Sequence, residues 1–372
     1  MKITAAAVHH YRLPLRANWL TAAGAFGERE GWLLRLDTNS GARGYGDCAP
    51  LPGSAAETPT CTEAHLRMQA RRLIGMRAID ALQAIEPHPG GLPAVRLAIE
   101  TALLDLTAQA AGLPLAAYLR AGQRPLDHDR RPPTGVAVNA ALGSVSRVDH
   151  ERVRGACEQG FPVLKLKVGM ASIDSEIAQL RRLATLLPPE VQWRLDANCA
   201  WSSGDAERFL RASAELPVEM IEEPLAQPTL QQLQTLQAGT TIALAIDESA
   251  SVLGLEQILS RRPVRRLVIK PPRLGGLLPA FDLARRAASV GLECVVTSSI
   301  ESACGVTAAA HLAAAIDNRL AHGLATSSWL ATDTGSPPAI VDGRLMLPRT
   351  VGLGFIPGEG IAFAEVAAPS SG

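Results

Sequence analysis

The chain has 372 residues, 47% of them apolar, and balances 36 Lys and Arg against 36 Asp and Glu, for a net charge of zero. A neutral chain of this kind offers no basic field for nucleic acid or an anionic membrane surface. No apolar run approaches the ~18 residues of a membrane helix, and the amino terminus lacks the apolar stretch of a signal peptide. The six cysteines (Cys48, Cys61, Cys157, Cys199, Cys294, Cys304) include no Cys-x-x-Cys pair, so they read as buried thiols of a cytoplasmic protein rather than a disulfide or zinc framework.

Residues 2–14 read as a strand. WLLRLDT (32–38) and ARGYGDCAP (42–50), joined by the turn signal Asn39-Ser40-Gly41, read as a hairpin. Residues 58–76 and 92–118 read as helices, the second with Ile99, Leu103, Leu106 and Ala110 on one face. The polar, proline-rich stretch 124–133 reads as a linker, and the terminal AAPSSG as a disordered tail. Beyond the linker, short apolar runs alternate with amphipathic stretches such as 173–187. The runs are 136–142, 162–168, 192–198, 218–224, 242–249, 266–271, 292–299 and a weaker one at 320–326. Polar residues near the run ends recur at 167, 196, 222, 247, 270 and 297. A regular β–α unit repeated eight times predicts an α/β barrel of the TIM type rather than an open doubly wound sheet.

Catalytic side chains of such barrels sit at the C-terminal ends of the strands. Here those ends carry Lys167, Asp196, Glu222, Asp247 and Lys270 in successive units. Three converging carboxylates repel one another and call for a cation. Hard oxygen ligands without His or Cys suit Mg²⁺, with Mn²⁺ as a substitute, and argue against zinc. Lys165 and Lys167 alternate with Leu164, Leu166 and Val168, so both point into the barrel mouth. Two neighbouring ammonium groups are expected to depress each other's pKa, making one a general base near neutral pH. Lys270 faces them across the mouth. The chain has four lysines (Lys2, Lys165, Lys167, Lys270), and three of them meet at this point. The arrangement fits proton abstraction α to the carboxylate of a small molecule. A Schiff-base lyase would need a lysine but not three acids, and a purely binding barrel would need neither.

These residues resemble the enolase superfamily, in its muconate-lactonizing subgroup, along nearly the whole chain. KLK (165–167), DAN (196–198), IEEP (221–224), DES (247–249) and VIKP (268–271) stand in the family's order and spacing. The resemblance implies a modified TIM barrel, (β/α)7β, over 133–344. It also implies an α+β N-terminal capping domain over 1–125, completed by 345–372. It implies Asp196, Glu222 and Asp247 as Mg²⁺ ligands, Lys167 and Lys270 as the acid/base pair, and a loop at 17–30 that closes over the substrate.

Two segments, GYGDCAPLPGSAAET (44–58) and TSSIESACG (297–305), look like the o-succinylbenzoate synthase branch, with Asp47 and Tyr45 replacing its usual Glu and Trp. That likeness implies a lyase dehydrating 2-succinyl-6-hydroxy-2,4-cyclohexadiene-1-carboxylate in menaquinone biosynthesis. Lys165, Asn198, Thr297 and Ser298 would then contact substrate. A racemase of N-acylamino acids, a dipeptide epimerase or a muconate-type cycloisomerase would use the same five residues. Dipeptide epimerases of this family place an Asp-x-Asp pair at the eighth strand, whereas 321–330 carries no acid. His311 falls inside a helix and reads as a packing residue. No segment specifies oligomeric state, so a homo-oligomer stays open, and Lys2 has no assigned role.

Overall fold

The computed structural model describes residues 1–21, 24–52, 57–85, 92–121 and 133–367. The expected linker, apart from Pro133, and the tail beyond Ala367 lie outside them. Strands β1 (Ile3–Thr21), β2 (Gly24–Thr38) and β3 (Arg43–Cys48) form an antiparallel meander. Its two faces serve different cores. Val8, Trp32, Leu34 and Leu36 pack with helices α1 (Pro59–Leu73), α2 (Ala78–Gln83) and α3 (Pro93–Ala110). Tyr11, Leu13 and Leu33 point the other way, into the large core shared with the barrel. Period-two alternation along the strands produces this division. In β3, a Cβ at Gly44 or Gly46 would overlap the carbonyl oxygens of Ala102 and Ala98, so the glycines let α3 lie directly on the strand.

Two expectations change here. The helix expected over 92–118 is two helices, α3 and α4 (Leu115–Ala121). It breaks where Gly112 adopts φ 68° and Pro114 follows, a glycine stop with a proline beyond it. The 17–30 loop is instead the outer part of a long β1/β2 hairpin, paired from Leu13↔Arg29 and Pro14↔Glu28 to Trp19↔Phe26, with a register shift between Pro14 and Trp19. Tertiary contact supports this extension. Trp19 packs edge-on against Trp329 at 4.7 Å, and the Pro14 carbonyl accepts from Ala331 N at 2.8 Å.

The barrel begins with β4 (Gly135–Ala137) and β5 (Asn139–Ser144). It continues through β6 (Val163–Lys167), β7 (Gln192–Asp196), β8 (Val218–Glu222), β9 (Ala243–Ile246), β10 (Arg266–Ile269) and β11 (Glu293–Val296). Strands β5 to β11 form one parallel sheet in sequence order. The weak run at 320–326 closes it. His322 N donates to Ala137 O (2.8 Å) and Asn139 N to His322 O (2.9 Å), while Gly323 N donates to Val296 O (2.8 Å) and Ser298 N to Gly323 O (3.0 Å).

Each of the first seven staves is followed by helix. These helices are α5 (His150–Glu158), α6 (Ile173–Ala184), α7 (Ser203–Ala212), α8 (Leu230–Ala238), α9 (Ala250–Leu253) with α10 (Leu255–Arg261), α11 (Pro271–Leu274) with α12 (Leu277–Ser289), and α13 (Ala303–Ile316). The last stave leads only to a single 3₁₀ turn at 327–329. The architecture is the expected (β/α)7β barrel.

Leu164, Leu166, Leu195, Ile221, Leu244 and Ile269 face the helices in the main core, whereas Met220, Ala245, Val268 and Val295 form a small separate core. These four lie two residues before Glu222, Asp247, Lys270 and Thr297, so the same alternation carries those polar residues to the barrel mouth. At the carboxyl end, β12 (Ile340–Val341) and β13 (Arg344–Met346) pair beside β4, and β14 (Ala364–Glu365) joins the edge of β1. No helix among the described residues is long and apolar enough to cross a membrane, and all six cysteines are free.

Candidate active site

A cavity of about 320 Å³ opens at the C-terminal ends of the strands, beneath the β1/β2 hairpin. Lys165, Lys167, Asp196, Asn198, Asp247, Lys270, Thr297 and Ser298 all line it. Glu222 stands behind Lys165, whose Nζ lies 2.7 Å from Glu222 Oε2 and 2.9 Å from Asp196 Oδ2. Asp196 and Glu222 are direct register partners on adjacent strands. Asp247 follows β9, where Ala245 pairs with Glu222.

The three acids are only 5%, 2% and 6% exposed, so their charges depend on nearby cations. Burial raises the pKa of Glu222, with Lys165 opposing; burial likewise raises that of Asp247, with Lys270 opposing. Among the described residues no three carboxylate, imidazole or thiolate groups already close on one point. Lys165 instead bridges two of the acids, while Lys270 Nζ and Arg273 Nη1 lie on Asp247, the latter at 2.7 Å. The donor set still fits a hard divalent cation: three buried carboxylates on neighbouring strands, directed to one interior.

The two lysines of β6 do not behave as the spacing predicts. Burial lowers the Lys167 pKa, and the Lys165 ammonium adds to that effect against the pull of Asp196. At Lys165 burial acts in the same direction, but Asp196 and Glu222 outweigh it and the pKa rises. Mutual depression is therefore corrected to a one-sided effect, because Lys165 sits between two carboxylates. Lys167 Nζ donates to Asn198 Oδ1 at 2.9 Å, and Asn198 N donates to Asp196 Oδ1 at 3.1 Å. Across the mouth, burial opposes Lys270's charge, but Asp247 and Glu248 raise its pKa.

Around this centre lie residues that the motifs miss or leave without a role. Arg273 donates to Asp247 and, at 3.1 Å, to Glu248. Its position one turn beyond Lys270 is the signal that could have found it. Glu223 adopts φ 47°, which turns its side chain away from Glu222. It accepts from Asp247 N (2.6 Å), Ser249 N (2.9 Å) and the Ser249 hydroxyl, and so holds the loop that carries Asp247. Ser298 lines the cavity, but its hydroxyl is engaged. It donates to Glu301 (2.5 Å) and accepts from Thr326 Oγ1 (2.8 Å) and Ile300 N (2.9 Å).

Asp47 does not reach the cavity. It accepts from the Tyr11 hydroxyl (2.6 Å), Ser302 N (3.0 Å) and Ser302 Oγ (2.8 Å), joining the cap sheet to the start of α13. His311 is a packing residue. Its Nδ1 accepts from Ala116 N (3.1 Å), its Nε2 meets Leu353 O (3.0 Å), and burial pushes its pKa down to about 4. Lys2 is exposed, where its backbone N donates to Asn39.

A barrel whose strand ends gather three acids and three lysines under a cap is the architecture of a metal-assisted proton-abstraction enzyme. The family described as "Enolase C-terminal domain-like" matches residues 149–359, and "MenC, N-terminal domain" matches residues 3–106. The chain belongs to the enolase superfamily. It is 29% identical over 366 residues to the L-Ala-D/L-Glu epimerase of Bacillus subtilis, covering 96% of this chain and 97% of that one. To the o-succinylbenzoate synthase of Thermosynechococcus vestitus it is 31% identical over 312 residues, covering 81% and 86%. Among solved structures, the dipeptide epimerase of Enterococcus faecalis V583, complexed with Mg and L-Leu-L-Tyr, superposes with a TM-score of 0.82 at 26% identity, covering 95% and 99%. Lyase and epimerase relatives thus stand at similar distance.

Proposed function

We propose that the protein is a Mg²⁺-dependent o-succinylbenzoate synthase, in which residues 1–125 and 345–372 cap a catalytic barrel over 133–344. Asp196, Glu222 and Asp247 would hold the ion. When bound, Mg²⁺ supplies positive charge against the substrate carboxylate and the negative charge that grows there as the α-proton leaves. Neutral Lys167 takes that proton. As an ammonium it returns a proton to the departing hydroxyl on the same face, so that one C–H and one C–O bond break, a C=C bond forms, water leaves and the lysine ends neutral. Lys270, held against Asp247 and Glu248, stays cationic and stabilises the enediolate. Lys165, Asn198, Thr297 and Ser298 bound the substrate's position.

The observation that carries this reading against an epimerase of free dipeptides is the cavity wall at the eighth stave. Gly323, Ala325, Thr326 and Trp329 form it, and among the described lining residues the carboxylates are Asp196, Asp247 and Glu248. No acid stands on that wall to receive an α-ammonium group. The asymmetry between Lys167 and Lys270 supports one base acting on one face.

The test is steady-state assay of the purified protein with the cyclohexadiene acid beside N-succinylamino acids and dipeptides. The acid is expected to be turned over with kcat/KM at least about 100-fold above any dipeptide. A dipeptide or N-acylamino acid that equals it would replace the lyase with an isomerase. Replacing Glu223 with alanine, which frees the loop bearing Asp247, is expected to weaken Mg²⁺ binding about 10- to 100-fold, as measured by isothermal titration. Unchanged affinity would remove Glu223 from the metal's support.

A further inference from the structure

Arg29 is one of the largest fully buried side chains, 1% exposed, yet it lies within the segment expected to be a loop closing over the substrate. Its guanidinium donates to three backbone carbonyls: Ala49 O (3.0 Å), Pro50 O (2.8 Å) and Ile300 O (3.0 Å). Those acceptors belong to two segments far apart in sequence. Ala49 and Pro50 lead into Leu51 and Pro52, which line the cavity from the cap. Ile300 lines it from the barrel, in a left-handed conformation (φ 62°) that a β-branched residue adopts only under constraint. Arg29 itself is on β2, the strand that also carries the cavity residue Phe26. A rigid planar fork presents donors from three separate nitrogens to three carbonyls, whereas a lysine's three donors radiate from a single nitrogen.

We propose that Arg29 is a positioning residue. By tying β2, the 49–52 segment and the loop after β11 to one guanidinium, it sets the roof of the cavity and hence the fit of the substrate's non-reacting end, without touching the proton-transfer residues. The inference rests on the cavity being the substrate site.

Arg29→Lys and Arg29→Met in the full chain test it, by two measurements. The first is hydrogen–deuterium exchange without substrate, which does not depend on the substrate assignment. The amides of Ala49 and Leu51 and those of 298–302 are expected to exchange at least about 10-fold faster together, whereas 163–168 stays as in the wild type. The second is kinetics with whichever acid shows Lys167-dependent turnover. KM is expected to rise about 10-fold while kcat stays within about threefold. If both segments keep their protection, or only one loosens, the clamp is wrong whatever the substrate. If exchange rises as expected but kcat falls with KM unchanged, Arg29 serves folding and not substrate fit, and the proposal is overturned. Arg29→Lys keeps the charge and carries the test if Arg29→Met does not fold.

Discussion

Replacing Lys167 with alanine is expected to lower kcat by at least about 10³-fold and to abolish exchange of the substrate α-proton with solvent deuterium, while Mg²⁺ affinity stays near that of the wild type. Lys167 can act as base only when neutral, and burial lowers its pKa from the ordinary lysine range. The sign follows. Below the lowered pKa the ammonium form dominates and activity is lost; as pH rises through it, kcat/KM climbs to a plateau. That acid limb should lie below the ~10.4 of free lysine. Lys165 cannot take over, because Asp196 and Glu222 hold its proton more firmly. Deuterium exchange followed by NMR would decide the matter. Exchange that persists in Lys167→Ala would transfer the base role to another group.

Removal of divalent metal is the second large effect expected. Treatment with EDTA should abolish turnover, and Mg²⁺ or Mn²⁺ should restore it. The physical reason is the burial of Asp196, Glu222 and Asp247, whose mutual repulsion Lys165, Lys270 and Arg273 offset in part. The same binding should appear without any substrate. Mg²⁺ at ~100 times its Kd should add about 2.7 kcal/mol to folded-state stability, read as a rise in Tm that Glu222→Gln diminishes. Full activity in a demonstrably metal-free preparation would sink the carboxylate assignment.

Much of this site is legible in the order of residues along the chain. The alternation of Lys165 and Lys167 with leucines places both ammonium groups inside the barrel, and the spacing of Asp196, Glu222 and Asp247 puts one acid at or just beyond the end of each successive strand. Both are local properties, set by the period-two geometry of a strand and by the length of a β–α unit. The eighth stave is faint for a physical reason as well. It is held by a few bridges at His322 and Gly323, too short to impose a pattern. The 17–30 segment is a loop in what the resemblance implies, whereas its strand character here comes from pairing and from Trp19 meeting Trp329.

The sequence by itself determined the barrel, the inward direction of its polar strand ends, and the chemical character of the acids and lysines, because these depend on residues within one or two turns of chain. Only the tertiary structure decided which lysine is depressed, since that depends on Lys165 lying between Asp196 and Glu222 from neighbouring strands. Likewise, only the fold brought Arg29 to Ile300 across 271 residues of sequence and Asp47 to Ser302 across 255. Such contacts leave no periodicity to read. They follow from how a cap and a barrel are pressed together around the cavity that the lysines line.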